Sequence, residues 1–270
     1  MLSYQEMWDM PLSAQSAGRE GKEAGHIPHL AGNIIYGALF AVFKAAFRFS
    51  VHGIEHVRTF SDGRGCVVAG NHASYLDPVF LWLAARPQQW IRFMARDNMF
   101  SNAKGIAGQV ISRVGAFPVK RGSADRAAIK RASSMLKRGE IVGIFPEGTR
   151  RGRGTAAPDL HAGVAFIARM GKAPIVPSSV RGVEKIKPAG SRFLHFPKIE
   201  VCFGAPVFLE DFDFLPKEDR LDGASWYVMS ECYALSRGVS REQIDMKELF
   251  PEAKDFASVF AGRDMSRKGA

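Results

Sequence analysis

Cysteine is scarce in this 270-residue sequence, and its distribution excludes a cysteine-based framework. The three cysteines are odd in number, lie far apart and never form a C-x-x-C pair. Neither a disulfide network nor a zinc site is therefore expected, and a reducing compartment is predicted. Residues 1–29 also lack the basic and apolar regions of a secretory signal peptide, so we expect a polar, flexible leader there.

Signatures of nucleic-acid binding are also missing. The sequence has no zinc-finger spacing and no aromatic RNA-binding motif, although 37 Lys and Arg against 27 Asp and Glu give a formal charge of +10. The basic residues are spread along the chain. A phospholipid surface or a phosphorylated substrate is therefore the expected anionic partner, and nucleic acid is not. Since no internal repeat or low-complexity linker occurs, one domain is predicted over residues 52–262, with a frayed end at 263–270.

Long apolar runs are rare, and residues 30–51 are the exception. This run is about as long as a membrane span, but Lys44 and Arg48 interrupt its second half. Helical spacing places four aromatic residues on one stripe: Tyr36, Phe40, Phe43 and Phe47. We predict an amphipathic helix over 30–51 that lies in the bilayer interface, with both basic side chains reaching the headgroups. A helix packed on the domain and a transmembrane span are the alternatives.

Beyond residue 51, short β-rich runs alternate with amphipathic helical patterns, which is typical of an α/β domain. The predicted strands cover residues 65–70, 90–95, 115–122, 141–145, 173–180 and 198–207. Helical spacing indicates helices within 123–140, where Ser123 is a candidate N-cap, within 160–171, and within 223–237. The predicted fold is therefore a central mixed sheet flanked by helices, preceded by the membrane-interface helix.

The stretch "NHASYLDP" at residues 71–78 places a histidine and an aspartate between a strand and a helix. Five residues amount to about 500° of helix rotation, so His72 and Asp77 cannot share one regular helical face. They can meet if His72 leaves the strand, the chain loops, and Asp77-Pro78 begins the helix. Two interpretations stay open at this point: a catalytic pair, or a helix cap beside an incidental histidine.

Two further polar stretches follow predicted strands. "FPEGTR" at 145–150 displays Glu147, Thr149 and Arg150 at a strand's carboxyl end, where α/β sheets place ligand sites. "GAFPVKRG" at 115–122 delivers Lys120 and Arg121 in the same way. A solvated polar turn is the simpler interpretation of each stretch taken alone.

In order and spacing, these stretches resemble the 1-acylglycerol-3-phosphate acyltransferases. That family carries Asn-His-x4-Asp, a glycine and apolar strand leading to an arginine, Phe-Pro-Glu-Gly-Thr-Arg, and a proline-bearing strand. The matching residues are Asn71, His72, Asp77, Arg121, the whole of 145–150, and Pro177. The sequence departs from the family pattern at Pro118, Arg151 and His161, which bears on the choice of acceptor.

The resemblance implies transfer of a fatty acyl group from a thioester, on coenzyme A or acyl carrier protein, to the sn-2 hydroxyl of 1-acylglycerol 3-phosphate. The product is phosphatidic acid. His72 is the implied general base and Asp77 its orienting partner. Backbone N–H groups around Glu147–Thr149 are candidate donors to the oxyanion. No metal and no cofactor beyond the thioester co-substrate is expected.

The remaining roles concern binding. Arg121 and Arg150 are the predicted ligands of the acceptor phosphate, with Lys120 as a weaker third, because guanidinium groups match phosphate oxygens. Glu147 orients an arginine, binds the glycerol hydroxyl or is structural, and Asn71 holds the His72 loop. The predicted location is the cytoplasmic face of a membrane, as a peripheral or monotopic protein.

Other interpretations remain. The acceptor could be another lysolipid or glycerol 3-phosphate. More distant alternatives are a metal-dependent phosphoesterase that uses His72, Asp77 and Glu147 as ligands, and a non-enzymatic, basic membrane-binding module.

Overall fold

The computed structural model describes residues 3, 5–18, 25–58, 64–86, 90–101, 105–120, 125–151, 159–188 and 190–265. A seven-stranded sheet runs through the described part of the chain, in the order β1-β7-β6-β2-β5-β3-β4. The strands are β1 (Ser50–His52), β2 (Val67–Gly70), β3 (Ile91–Arg96), β4 (Phe117–Val119), β5 (Ile141–Ile144), β6 (Ile175–Arg181) and β7 (Glu200–Phe203). The predicted mixed sheet is confirmed.

The strands from β6 to β4 are parallel, and β7 runs antiparallel to β6. β1 is parallel to β7, so it also runs against the central strands. The central strands β2 and β5 are buried at every residue. Their continuous apolar sequences fit this position, because a parallel sheet is covered by helices on both faces.

Helices cover the two faces of the sheet. The helices of the described residues are α1 (Ala14–Gly18), α2 (His29–Phe47), α3 (Glu55–Arg58), α4 (Asp77–Ala85), α5 (Asn98–Ser101), α6 (Ile106–Arg113), α7 (Arg126–Lys137), α8 (Gly163–Gly171), α9 (Arg220–Arg237), α10 (Met246–Leu249) and α11 (Ala257–Phe260). One core cluster joins the sheet to α7, α8 and α9. The other joins it to α2 and α4.

The helix predicted over 30–51 is shorter than expected. α2 ends at Phe47, and Arg48 adopts a left-handed conformation with φ of 46°. The chain then enters β1, where Ser50 pairs with Glu200 of β7. Backbone hydrogen bonding to the sheet edge therefore takes residues 50–52 out of the helix.

The aromatic stripe of α2 packs inward rather than outward. Tyr36 contacts Trp82 of α4 at a centroid distance of 5.8 Å, and Phe43 contacts Phe80 at 5.1 Å. The opposite face leaves Leu30, Ile34 and Val42 exposed. Within the described residues, α2 is the one helix long and apolar enough to cross a membrane, with a mean hydropathy of 1.6. This property of α2 is weak support for membrane contact, because it reflects only the length and the composition of the helix.

The prediction of a flexible leader is wrong for residues 5–18. Arg92 of β3 is fully buried and donates to the carbonyl oxygens of Met7 and Met10 at 2.9 and 2.8 Å. Trp8 Nε1 donates to Ser112 Oγ at 2.9 Å. This segment is held because a buried guanidinium requires several acceptors, and its backbone supplies them.

Two further boundaries differ from the predictions. Asp125 caps α7 by accepting from the N–H groups of Ala127 and Ala128, whereas the predicted cap, Ser123, lies outside the described residues. At the other end, the Met265 N–H donates to Tyr227 Oη at 3.0 Å, so the chain is still held beyond residue 263. Residues 266–270 lie outside the described part.

Candidate active site

The site forms at the carboxyl edge of the sheet, where β2 and β5 lie side by side. β2 leads into Asn71 and His72, and β5 leads into the "FPEGTR" turn. The two stretches are about 70 residues apart in sequence. They meet because the strand order places β5 next to β2.

His72 and Asp77 form the predicted contact. His72 Nδ1 lies 2.9 Å from Asp77 Oδ2. The same carboxylate oxygen accepts the N–H groups of Ala73 and Ser74 at 2.8 and 2.7 Å. The cap interpretation is wrong, because Asp77 lies in the first turn of α4 and no side chain caps that helix. Asp77 instead draws the loop back on itself and holds the imidazole.

The carboxyl group of this pair is buried, and the ring is partly open. The side chain of Asp77 is 2% exposed and that of His72 is 17% exposed. Burial raises the pKa of Asp77, and the hydrogen bonds from His72 and the backbone oppose that rise. With Nδ1 bonded to Asp77, Nε2 is the ring nitrogen left for a substrate.

A stack of rings fixes the plane of the imidazole. Phe145 stacks on His72 at a centroid distance of 4.2 Å, and Phe93 lies parallel to Phe145 at 5.7 Å. Phe93 in turn packs over Gly143 of β5, where any side chain would overlap its ring. The imidazole is therefore held by a hydrogen bond at one edge and by an aromatic face at its side.

The "FPEGTR" turn is bonded directly to the histidine loop. The Arg151 N–H donates to the His72 carbonyl oxygen at 2.9 Å. Gly148 has a φ of +58°, a conformation that favours glycine, and its N–H closes the turn on the Phe145 carbonyl at 3.0 Å. Arg150 lies with Cζ 3.2 Å from the ring centroid of Tyr75, within the histidine loop. Arg150 therefore lies against the loop that carries His72.

Known proteins are similar to this chain. The acyltransferase family model matches residues 48–181. A 1-acyl-sn-glycerol-3-phosphate acyltransferase of Bacillus subtilis is 37% identical over 157 residues, which cover 58% of this chain and 74% of the relative. The chain belongs to the 1-acyl-sn-glycerol-3-phosphate acyltransferase family.

A second relative agrees with this assignment, and a solved structure shares the fold. An enzyme of the same description from Streptococcus pneumoniae is 32% identical over 146 residues, covering 54% of this chain and 51% of the relative. The crystal structure of the 1-acyl-sn-glycerophosphate acyltransferase PlsC from Thermotoga maritima has a TM-score of 0.54 and 22% identity, and the match covers 75% of this chain and 80% of the other. The protein is therefore an acyltransferase, and neither a phosphoesterase nor a non-enzymatic module.

Glu147 of the acyltransferase faces the protein interior. It is 3% exposed, and its Oε1 accepts the hydroxyl of Tyr233 at 2.6 Å. Arg151 Nε donates to the same hydroxyl oxygen at 2.6 Å and lies 3.7 Å from Glu147 Oε2. Burial raises the pKa of Glu147, and Tyr233 and Arg151 oppose the rise. Glu147 is therefore linked to Arg151 through the Tyr233 hydroxyl.

Sequence reasoning missed Tyr233 and the role of Arg151. Tyr233 lies on α9, 86 residues from Glu147, and helical spacing presents it as an ordinary core residue. Burial raises its pKa, so the hydroxyl stays protonated and can donate. Arg151 was visible only as a departure from the family pattern. That departure does not predict the hydrogen bond from the Arg151 N–H to the His72 carbonyl oxygen.

Three more of the predicted site residues are Asn71, Lys120 and Arg121. Asn71 Nδ2 reaches Ser236 Oγ of α9 at 3.5 Å, so its side chain ties the loop to that helix. Lys120 is exposed at the end of β4, three strand spacings or about 14 Å from β2. Arg121 lies outside the described residues. The parts of the chain that the structure describes contain no group of three His, Cys, Asp or Glu able to hold a metal ion.

Proposed function

We propose that the enzyme transfers a fatty acyl group from a thioester to the sn-2 hydroxyl of 1-acylglycerol 3-phosphate, giving phosphatidic acid. The observation that carries this proposal is the 2.9 Å contact between His72 and Asp77 at the carboxyl edge of the sheet. The activity of the two bacterial relatives supports the choice of reaction.

His72 acts as the general base. Nε2 takes the proton of the acceptor hydroxyl while its oxygen attacks the thioester carbonyl carbon. The tetrahedral intermediate then expels the thiolate of the acyl donor. This thiolate takes the proton from the imidazolium, which returns His72 to its neutral form. Asp77 stabilises the imidazolium while it exists. Such proton transfer contributes roughly 10²- to 10⁴-fold to the rate.

The "FPEGTR" turn supplies the rest of the site in this proposal. The backbone N–H group of Thr149 donates to the oxyanion, since the Gly148 N–H already closes the turn on the Phe145 carbonyl oxygen. Arg150 binds the acceptor phosphate together with Arg121, and Lys120 adds a third charge. Glu147 acts indirectly, by holding Arg151 through Tyr233.

The proposal extends to the setting of the reaction. The enzyme works at the cytoplasmic face of a membrane, as a peripheral or monotopic protein whose contact includes α2. Its co-substrate is acyl-coenzyme A or acyl carrier protein, and it needs neither a further cofactor nor nucleic acid. The exposed apolar face of α2 supports this setting.

The substrate assignment is tested with a panel of acceptors. Purified protein in detergent is offered lysophosphatidate, other lysolipids and glycerol 3-phosphate, each with labelled acyl-coenzyme A or acyl carrier protein. We expect phosphatidic acid as the main product, identified by mass. Preferential acylation of another lysolipid or of glycerol 3-phosphate would reassign the acceptor.

The mechanism is tested by replacing His72 with alanine. We expect kcat to fall by roughly 10²- to 10⁴-fold, because the acceptor hydroxyl loses its base. His52→Ala is the matched control, since His52 is exposed on β1 and bonds only locally, to Ser50 at 3.2 Å. Turnover by a folded His72→Ala variant equal to that of the control would refute the assigned role.

A further inference from the structure

The connection between β6 and β7 exposes large apolar side chains. Phe193, Leu194 and Phe196 are 78%, 60% and 58% exposed. Single exposed apolar residues are common on soluble proteins, but three within four residues form a contiguous patch. Residues 190–198 are called the docking loop below.

The docking loop is held in this conformation by its own hydrogen bonds. The His195 N–H donates to the Ile186 carbonyl oxygen at 2.8 Å. Ser191 Oγ donates to the Phe193 carbonyl oxygen at 2.9 Å and accepts the Phe193 N–H at 3.2 Å. These bonds keep Phe193 and Leu194 turned to solvent rather than folded onto the sheet.

The loop lies at the same edge of the sheet as His72. β6 is parallel to β2 and adjacent to it, so the connection leaves β6 at the carboxyl edge. Glu200 at the start of β7 pairs with Arg181 at one side and with Ser50 at the other. The end of α2 therefore reaches this edge too, where Phe47 contacts Phe196 of the loop at 5.5 Å.

The surroundings of the apolar patch are basic. Residues 182–199 contain four cations and one acid. The cations are Lys185, Lys187, Arg192 and Lys198, all of them exposed, and the acid is Glu184. Lys198 is partly compensated by Glu200, at 2.9 Å. An apolar tip with a basic collar complements an anionic bilayer, whose headgroups attract the collar and whose acyl region takes the tip.

We propose that the docking loop inserts Phe193 and Leu194 into bilayers that contain anionic phospholipid, with Lys187 and Arg192 against the headgroups. The loop is then a second anchor besides α2. Two anchors that meet at Phe47 and Phe196 turn the edge that carries His72 toward the membrane. This inference concerns lipid contact and does not depend on the proposed roles of His72 and Asp77.

Insertion is tested with a fluorescent reporter. The three native cysteines are buried, so an environment-sensitive thiol label on the Leu194→Cys variant reacts at that position. Vesicles of phosphatidylcholine with phosphatidylglycerol should raise and blue-shift its emission. A label that stays in a water-like environment on bound protein would overturn the proposal.

The contribution of the loop to binding is tested by vesicle flotation without substrates. The double variant Phe193→Ser, Leu194→Ser should partition about tenfold or more weakly than wild type. Met170→Ser is the control, because Met170 is 44% exposed but belongs to α8, which ends at the opposite edge of the sheet. Arg192→Gln should weaken binding to anionic vesicles alone, by about fivefold.

Three outcomes separate this inference from its rivals. Equal partition of the double variant and wild type would show that α2 binds alone, and the proposal would fail. If the double variant no longer bound acyl carrier protein but bound vesicles as wild type does, the loop would be reassigned to protein docking. Unchanged kcat of the double variant on a water-soluble, short-chain acceptor, with lower turnover on vesicles, would support the proposal.

Discussion

Asp77 shows how much a single residue decides in this site. One of its carboxylate oxygens accepts three hydrogen bonds and thereby sets both the ring of His72 and the path of the loop. Burial raises its pKa above the ordinary value of 3.8, so the charged form is less favoured in the folded protein than in the unfolded chain. The ionised carboxylate beside the imidazole therefore lowers the folding stability of the protein.

Replacing Asp77 with asparagine should separate these two effects. We expect kcat to fall by roughly 10²- to 10⁴-fold, because an amide cannot stabilise the imidazolium. The amide oxygen can still accept the Ala73 and Ser74 N–H groups, so the loop should keep its path.

Although Asp77→Asn should lower kcat, it should gain stability relative to wild type as the pH rises. Since the folded pKa is raised, the stabilising contribution of Asp77 is present below pH 3.8 and is lost as the pH rises through the folded value. The melting temperature of Asp77→Asn minus that of wild type should therefore become more positive from pH 4 to pH 7. A difference that shrinks over this range would contradict the assigned pKa direction.

At the scale of elements, α2 is joined to the domain by close packing at its first turns. Gly32 faces the ring of Trp90, and a methyl group there would overlap it. Trp90 is held in turn by stacking with His29 at 4.9 Å and by Arg86, whose Cζ lies 4.2 Å from the ring centroid. The glycine allows the helix to approach this aromatic cluster, which leaves the opposite face of α2 outward.

Two glycines of α2 provide a matched test of this packing. Gly32→Ala should destabilise the fold by about 1–3 kcal/mol, because Trp90 must move. Gly37 is exposed with nothing within 4 Å of its added Cβ, so Gly37→Ala should stabilise by about 0.5–1 kcal/mol. Chemical denaturation in the absence of lipid measures both. Equal effects at the two positions would mean that α2 is not packed as described.

For the whole molecule, a buried charge cluster joins the N-terminal segment to the sheet. Arg92 Nη1 contacts Glu140 at 2.8 Å, and Arg138 contacts the same carboxylate at 2.9 Å. Glu140 also accepts the Leu12 N–H at 2.9 Å. Residues 5–18 thus belong to the folded domain, although their composition is polar.

Replacing Arg92 with methionine should test this attachment. The carbonyl groups of Met7 and Met10 lose their donor and a buried ion pair is broken, so a loss of about 3–5 kcal/mol is expected. Residues 5–18 should also become accessible to proteolysis. Arg131→Met is the control, because Arg131 pairs with the exposed Asp9 and its removal should change stability by about 0–1 kcal/mol. Similar losses in both variants would argue against the cluster.

Local pattern was sufficient for the central strands and for the positions of the motifs that follow them, but not for β1, whose residues were predicted as helix. The apolar runs of β2 and β5 identified the strands, and "NHASYLDP" and "FPEGTR" identified the residues that follow them. The meeting of His72 with Asp77 was also within reach, because both lie in one short loop. Periodicity and turn chemistry depend on neighbours in sequence, which is why these predictions succeeded.

Only the tertiary structure decided what depends on distant residues. The bond from Arg151 to His72 requires β5 to lie beside β2, although β3 and β4 separate them along the chain. Tyr233 reaches Glu147 from a helix 86 residues away, and the aromatic stripe of α2 turns inward because α4 offers a matching surface. A sequence determines which faces are apolar, but strand order and packing determine what those faces meet.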